Sequence, residues 1–261
     1  MKKFGTIVYN GTTNNKTLKD NLLYLKSIGF DEISEGLDYK TYPLEELYKV
    51  AKELNMKISS FHSRYKNQDI SSLWKNNSDT AKYIISLKED ISLCSKFEVP
   101  YLVIHIGNKN TTEITNVLIK NIKELLKFAI KRNVILCVEN IDVFRYDDVK
   151  ALIAKIKSPY LKMCLDIGHF NIFEDNKDFK RIYNDDSFIN NIVYLHLHGN
   201  HGEKDEHFPL QYSNYNILLL RELFNKIPNV SLTSETFHTY FDIITFEEQA
   251  LEVMKGLKLL Q

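Results

Sequence analysis

Short apolar runs alternate with longer stretches in which apolar positions recur at three- and four-residue steps, and the alternation continues from one end of the chain to the other. Runs of the first kind read as buried strands, and stretches of the second kind as amphipathic helices laid over a sheet. The predicted strands are Phe4–Tyr9, Glu32–Glu35, Lys57–His62, Tyr101–His105, Val134–Glu139, Leu161–Asp166, Ile192–His198 and Val230–Glu235. The predicted helices are Thr17–Ile28, Leu44–Asn55, Ser78–Phe97, Glu113–Arg132, Arg145–Lys157, Asn216–Lys226 and Phe246–Leu260. In Glu113–Arg132 the residues Ile114, Val117, Leu118, Ile122, Leu125, Leu126, Ala129 and Ile130 share one face, and Asn110 is the expected N-terminal cap. Eight strands alternating with helices, with no Gly/Ser/Pro-rich linker, predict an α/β fold: one (β/α)8 TIM barrel domain over residues 1–261. No Gly-x-Gly-x-x-Gly fingerprint supports the competing open sheet.

Composition narrows the partners. With 44% hydrophobic and 26% charged residues the chain reads as an ordinary globular protein. No apolar run approaches the roughly 20 residues of a membrane span, and no apolar core follows Lys2 and Lys3, so a cytoplasmic location is expected. Lys plus Arg and Asp plus Glu cancel at 34 each. There is thus no global basic field for nucleic acid, and a small-molecule substrate is the expected partner. Cys94, Cys137 and Cys164 are odd in number and widely spaced, which predicts reduced, buried thiols.

The chemistry lies at the strand ends. Strand two ends at Glu35, three at His62, four at His105, five at Glu139, six at Asp166, seven at His196 and His198, and eight at Glu235. In a parallel barrel these ends meet at one rim, so side chains scattered in sequence converge. Parity places Ser60, Val103, Cys137, Cys164, Tyr194 and Thr233 inside the barrel below them. One such His or carboxylate would read as a hydrogen-bonded core residue; a whole rim of them does not. Carboxylates gathered at one rim repel one another unless cations neutralise them, which points to bound divalent metal. Histidine with carboxylate suits Zn, Mn or Fe, in one to three ions per chain. Two loops add ligand types: His169 three residues after Asp166, and Asp205 and His207 in the run from His196 to His207. Asp205 and His207, two apart on an extended segment, can share a second ion, whereas His201 and Glu203 read as solvated loop residues.

The motifs VIHIG (His105), CVEN (Glu139, Asn140), CLDIGH (Asp166, His169), HLHGN with DEHFPL (His196, Asp205, His207) and SETF (Glu235), in that order after His62, resemble the xylose-isomerase-like barrels. That superfamily includes sugar and sugar-phosphate isomerases and epimerases and the abasic-site endonucleases of the endonuclease IV type (AP endonuclease family 2). The resemblance implies that Glu139, Asp166, His196 and Glu235 form the metal quartet of the epimerase branch. It also implies that His62, His105, His169, Asp205 and His207 stand where the endonuclease branch carries further metal ligands. Gly199 departs from an Asp frequent after the strand-seven His, and Gln211-Tyr212-Ser213 from a Gly-rich turn.

The resemblance implies first an isomerase or epimerase acting on a sugar, sugar phosphate or polyol through a metal-stabilised enediolate. Glu139 and Glu235 would then transfer the proton, His169 would orient a hydroxyl, and Glu35, His198 and Asn140 would contact substrate. The alternative is phosphoester hydrolysis at a two- or three-metal site, for which the full ligand set speaks and the absent basic surface opposes a DNA substrate. A metal-binding barrel without catalysis is the third reading.

Overall fold

The computed structural model describes residues 3–7, 16–38, 42–227, 230–236 and 245–261. Eight parallel strands close on themselves in chain order: β1 (Phe4–Ile7), β2 (Glu32–Gly36), β3 (Lys57–His62), β4 (Tyr101–Ile104), β5 (Ile135–Glu139), β6 (Leu161–Asp166), β7 (Ile192–Leu197) and β8 (Ser231–Ser234). The closing pair is β1 with β8, in the register Phe4 to Leu232. Around them lie α1 (Leu18–Ile28), α2 (Leu44–Glu53), α3 (Ser78–Lys96), α4 (Asn116–Ile130), α5 (Tyr146–Ile156), α6 (Ile167–Phe173), α7 (Lys180–Tyr183), α8 (Ile217–Lys226) and α9 (Phe246–Lys258). The end of the first predicted strand, at positions 8 and 9, lies outside the described residues.

Helix starts follow side-chain chemistry. Thr17, Asn77, Asn216 and Thr245 each accept a backbone N–H of the first turn, which satisfies donors the helix itself cannot. For α4 the cap is Thr115, which accepts from Leu118 N at 3.2 Å, and not Asn110. The stretch before it forms local turns instead: Asn108 Oδ1 accepts from Asn110 N, and Thr111 Oγ1 from Glu113 N. Ile130, expected on the buried face of α4, is 47% exposed. Asn121 is buried there instead, its amide donating to the carbonyls of Leu73 and Lys75.

Two apolar layers result. The larger lies between strands and helices and includes Leu22, Phe61, Leu102, Leu125, Leu136, Leu165 and Phe224. The smaller lies inside the barrel, where Val103, Cys137, Cys164 and Tyr194 form their own cluster, as strand parity requires. The Tyr194 hydroxyl meets Ser59, Ser60 and Thr233 at 2.8, 2.8 and 2.6 Å, closing the interior beneath the mouth. All three cysteines are free and buried, and burial pushes their thiols up, so they are unreactive packing groups. No helix among the described residues is long and apolar enough to cross a membrane.

Tyr194→Phe removes one hydroxyl and takes a buried partner from Ser60 and Thr233, while Ser59 keeps the Ile33 carbonyl, so it should cost about 1–3 kcal/mol of stability. Denaturant unfolding measures this; an unchanged midpoint would show that the interior network contributes nothing.

Candidate metal centre

The mouth is built by strand ends. His62, Glu139 and Asp166 are the last residues of β3, β5 and β6; His105 and Glu235 directly follow β4 and β8, and His196 lies within β7. These side chains, His169 of α6 and the segment after β7 form three groups whose ligand-type atoms lie within 4.8 Å of one another: His62, His105 and Glu139; Glu139, Asp166, His196 and Glu235; and His169, His198, Asp205 and His207. Glu139 belongs to two groups. Its Oε2 is 3.2 Å from His62 Nε2 and 2.9 Å from His105 Nε2, and its Oε1 is 3.1 Å from His196 Nδ1. Ligand atoms of a tetrahedral site with bonds of roughly 2.0–2.1 Å lie about 3.3 Å apart, so these spacings suit a cation.

Local structure explains the Asp166-to-His169 spacing. Asp166 caps α6, its Oδ1 accepting from the backbone N of His169 at 2.6 Å, which sets the imidazole one turn above the carboxylate. Asp166 Oδ2 is buried, without a hydrogen-bond partner among the described residues, and lies 3.9 Å from His196 Nδ1. Glu235 completes this group with Oε2 at 3.4 Å from the same nitrogen.

The second loop folds back through Gly199, which exchanges backbone hydrogen bonds with Phe208. A Cβ at position 199 would lie 2.7 Å from the Phe208 ring and 2.8 Å from the Pro209 carbonyl, so the fold-back leaves room only for Gly there. The fold-back brings Asp205 Oδ1 to 3.1 Å from His207 Nε2 and Asp205 Oδ2 to 3.5 Å from His169 Nε2. The segment is not the extended one expected, because His207 has a φ of 52°, in the left-handed region.

The residues fit a bound cation. Three imidazoles have Nδ1 against a backbone carbonyl: His62 on Ser63, His169 on Asn140 and His207 on Glu235, at 3.1, 3.0 and 2.6 Å. A carbonyl only accepts, so Nδ1 carries the proton and the Nε2 lone pair faces the group. This is the outer hydrogen bond that orients metal-ligating histidines.

Electrostatics agree. Burial acts to raise the Glu139 carboxyl, but His196 and His105 outweigh it and hold it well below the usual range. For Asp166 burial is outweighed by His169 and His198, and for Asp205 by His169 and His207, so both are lowered. Burial opposes protonation of His196, His169, His62 and His207, yet the neighbouring carboxylates raise all four, His196 to about 9. In His105 burial prevails and the imidazole is lowered. The clustered carboxylates thus favour positive charge at the mouth, which a proton or a cation can supply.

Other expected residues fall elsewhere. Asn140 lies behind the ligands, its amide bonded to both backbone groups of Asp166 at 2.8 and 2.9 Å. His198 is fully enclosed. Glu35 joins none of the three groups: β2 shifts register after Ile33, and Glu35 pairs with Phe61, whose ring meets Phe97 in the outer layer. His201 stays on the surface with Glu206. One rim residue went unnoticed in the sequence. Tyr65 places its ring 5.2 Å from that of His62 and 4.7 Å from that of His105, with its backbone N held by Asp38 at 2.6 Å. Its only signal was an aromatic three residues beyond His62.

A barrel of this order with a ligand-lined mouth matches a known family: the profile of the xylose isomerase-like TIM barrel covers residues 22–260, and the chain belongs to that family. Among solved structures it is similar to L-ribulose 3-epimerase, at 16% identity and a TM-score of 0.78 over 100% of this chain and 94% of that one. It is also similar to the IolI protein with a bound zinc atom, at 15% identity and a TM-score of 0.77 over 99% and 98% of the two chains. A third is D-allulose 3-epimerase from Methylomonas sp. in complex with D-allulose, at 14% and 0.76 over 100% and 97%. No curated protein sequence matches the chain.

Because the His196 value rises from 6.5 to about 9, the stabilisation from its charge is complete below about 6.5 and lost as pH rises through about 9. Zn²⁺ added at pH 7.5 should therefore displace protons into the buffer. Calorimetry in buffers of different ionisation enthalpy reads the release; a buffer-independent heat of binding would contradict it.

Proposed function

We propose that the chain is a metal-dependent isomerase or epimerase acting on a sugar, sugar phosphate or polyol, with residues 1–261 forming one barrel domain. The observation that carries this reading is the buried group of Glu139, Asp166, His196 and Glu235, two of whose members are glutamates from strands three apart in the barrel. Family membership and the epimerases among the similar structures support it.

Asp166, His196 and the two glutamates would hold a Zn, Mn or Fe ion. Such an ion supplies Lewis-acid polarisation of a carbonyl and its neighbouring hydroxyl, which acidifies the C–H between them. Glu235, the quartet's most exposed side chain at 15%, takes that proton. Glu139, ionised at rest, would take the proton of the neighbouring hydroxyl and deliver it to the carbon from the other side, and Glu235 would return its own proton to that oxygen. His169, at 11% exposure, reaches the mouth with Nε2 and orients a substrate hydroxyl.

One observation favours a second reading, hydrolysis of a small phosphoester. Glu139 is shared between two ligand groups and a third lies beside them, an arrangement suited to two or three ions that clamp the attacking and leaving oxygens. His62, His105, Asp205 and His207 have no assigned task in a single-ion epimerase.

Metal content of the native protein and two assays separate the readings. The isomerase predicts incorporation of solvent deuterium at carbon in a ketose or ketose phosphate. The hydrolase predicts two or three ions per chain and product release from a phosphodiester, without carbon exchange. Glu139→Gln and Asp166→Asn should each weaken Zn²⁺ binding by more than the roughly 10–100-fold that loss of an outer partner costs, with the fold retained by circular dichroism. Wild-type affinity in both variants would show that these are not the ligands.

A further inference from the structure

His198 is used by neither reaction as drawn. It is fully buried, and its closest polar approach among the described residues is an ion-pair contact of Nε2 with Asp166, not an aligned hydrogen bond. Proximity groups it with His169, Asp205 and His207. Yet its ring stacks on that of His207, with centroids 3.8 Å apart and planes 13° apart. An imidazole offers its lone pair within the ring plane, so an ion in the plane of one stacked ring lies over the face of the other. One ion cannot be ligated by both. His207, with Nδ1 committed to the Glu235 carbonyl and Nε2 at 3.1 Å from Asp205, is the one set for ligation.

The remaining contacts give His198 another task. Its Nε2 is 3.2 Å from Asp166 Oδ1, the same oxygen that accepts from His169 N, while Asp166 Oδ2 faces the quartet. The ring occupies space that a side chain at 168 would fill: a Cβ on Gly168 would lie 1.9 Å from His198 Cε1. Tyr215 fixes the backbone by donating from its hydroxyl to the His198 carbonyl at 2.9 Å.

We propose that His198 is a positioning residue, seated against Gly168, that holds Asp166 Oδ1 so that Oδ2 faces Glu139, His196 and Glu235, and props the His207 ring on its face. One imidazole thereby sets a ligand in each of two cation groups. The inference rests on the mouth binding cations, under either reaction.

Three variants separate the two contacts, with Co²⁺ as the probe, affinities from chelator competition, and d–d absorption reporting the geometry of each bound ion. His198→Phe keeps a flat ring for His207 but removes the ring nitrogen beside Asp166 Oδ1, leaving that oxygen only the backbone N–H of His169. It should weaken one ion by about 10–100-fold, as loss of an outer-shell partner does, and leave the spectrum of the others unchanged. His198→Gln, which returns a donor toward Asp166 without a ring to stack, should restore that ion and weaken the one at His207. Gly168→Ala, which displaces the intact imidazole, should weaken both, and it carries the test if His198→Phe does not fold. Wild-type affinities and spectra in a folded His198→Phe or Gly168→Ala overturn the proposal, as does uniform loss of all ions in His198→Phe. A wild-type chain that binds no Co²⁺ overturns the cation reading itself, and the proposal with it.

Discussion

The Glu139 carboxylate is the point on which the rest of the mouth depends. It is 1% exposed at the end of β5, with His62 and His105 on one oxygen and His196 on the other. A negative charge enclosed to this degree must be met by positive charge, because the cost of removing it from water is several kcal/mol. Around Glu139 that charge is drawn to the imidazoles of His62 and His196, on β3 and β7, while His105, after β4 and itself lowered by burial, adds a close polar contact. The carboxylates of the mouth in turn raise four of its imidazoles. The site thus ties strands together electrostatically at the end of the barrel that carries the chemistry.

The opposite requirement holds one layer below. Val103, Cys137, Cys164 and Tyr194 fill the barrel interior without charge, and the Tyr194 hydroxyl is fully used by Ser59, Ser60 and Thr233. This layer gives the ligands a rigid floor and keeps the interior closed. The loops supply the other walls. Asp38 and Asp90 hold the turn after β3 through the backbone N–H groups of Tyr65 and Arg64, and Asn200 ties the loop after β7 to the carbonyl of Gly168. Each is a carboxylate or amide bonded to main chain, so the ligands sit on a hydrogen-bonded frame and not on free loops.

The barrel was legible in the sequence because its two signals are local. Strand-length apolar runs and three-to-four periodicity depend on which residues neighbour one another along the chain. The gathering of metal-competent side chains at the strand ends was legible for a related reason: in a parallel barrel with side chains alternating in and out, rank along a strand fixes height and face. That logic failed at Glu35, where a register shift in β2 placed the carboxylate with Phe61. It failed again at Asn110 and Ile130, since capping and burial in α4 were decided by the turns before it and by the carbonyls Asn121 had to satisfy.

The sequence by itself therefore determined the closed parallel barrel, its interior residues and the set of metal-competent side chains at one rim. Only the tertiary structure decided how that set divides, because division depends on distances across the mouth that no spacing along the chain encodes. Glu139 became the shared member by lying between His105 and His196. Asp205 and His207 reached His169 through a left-handed turn at His207 and a fold-back at Gly199. His198 has the same parity as His196 and the same chemistry, yet it stacks behind the ligands, because Gly168 leaves room for its ring there.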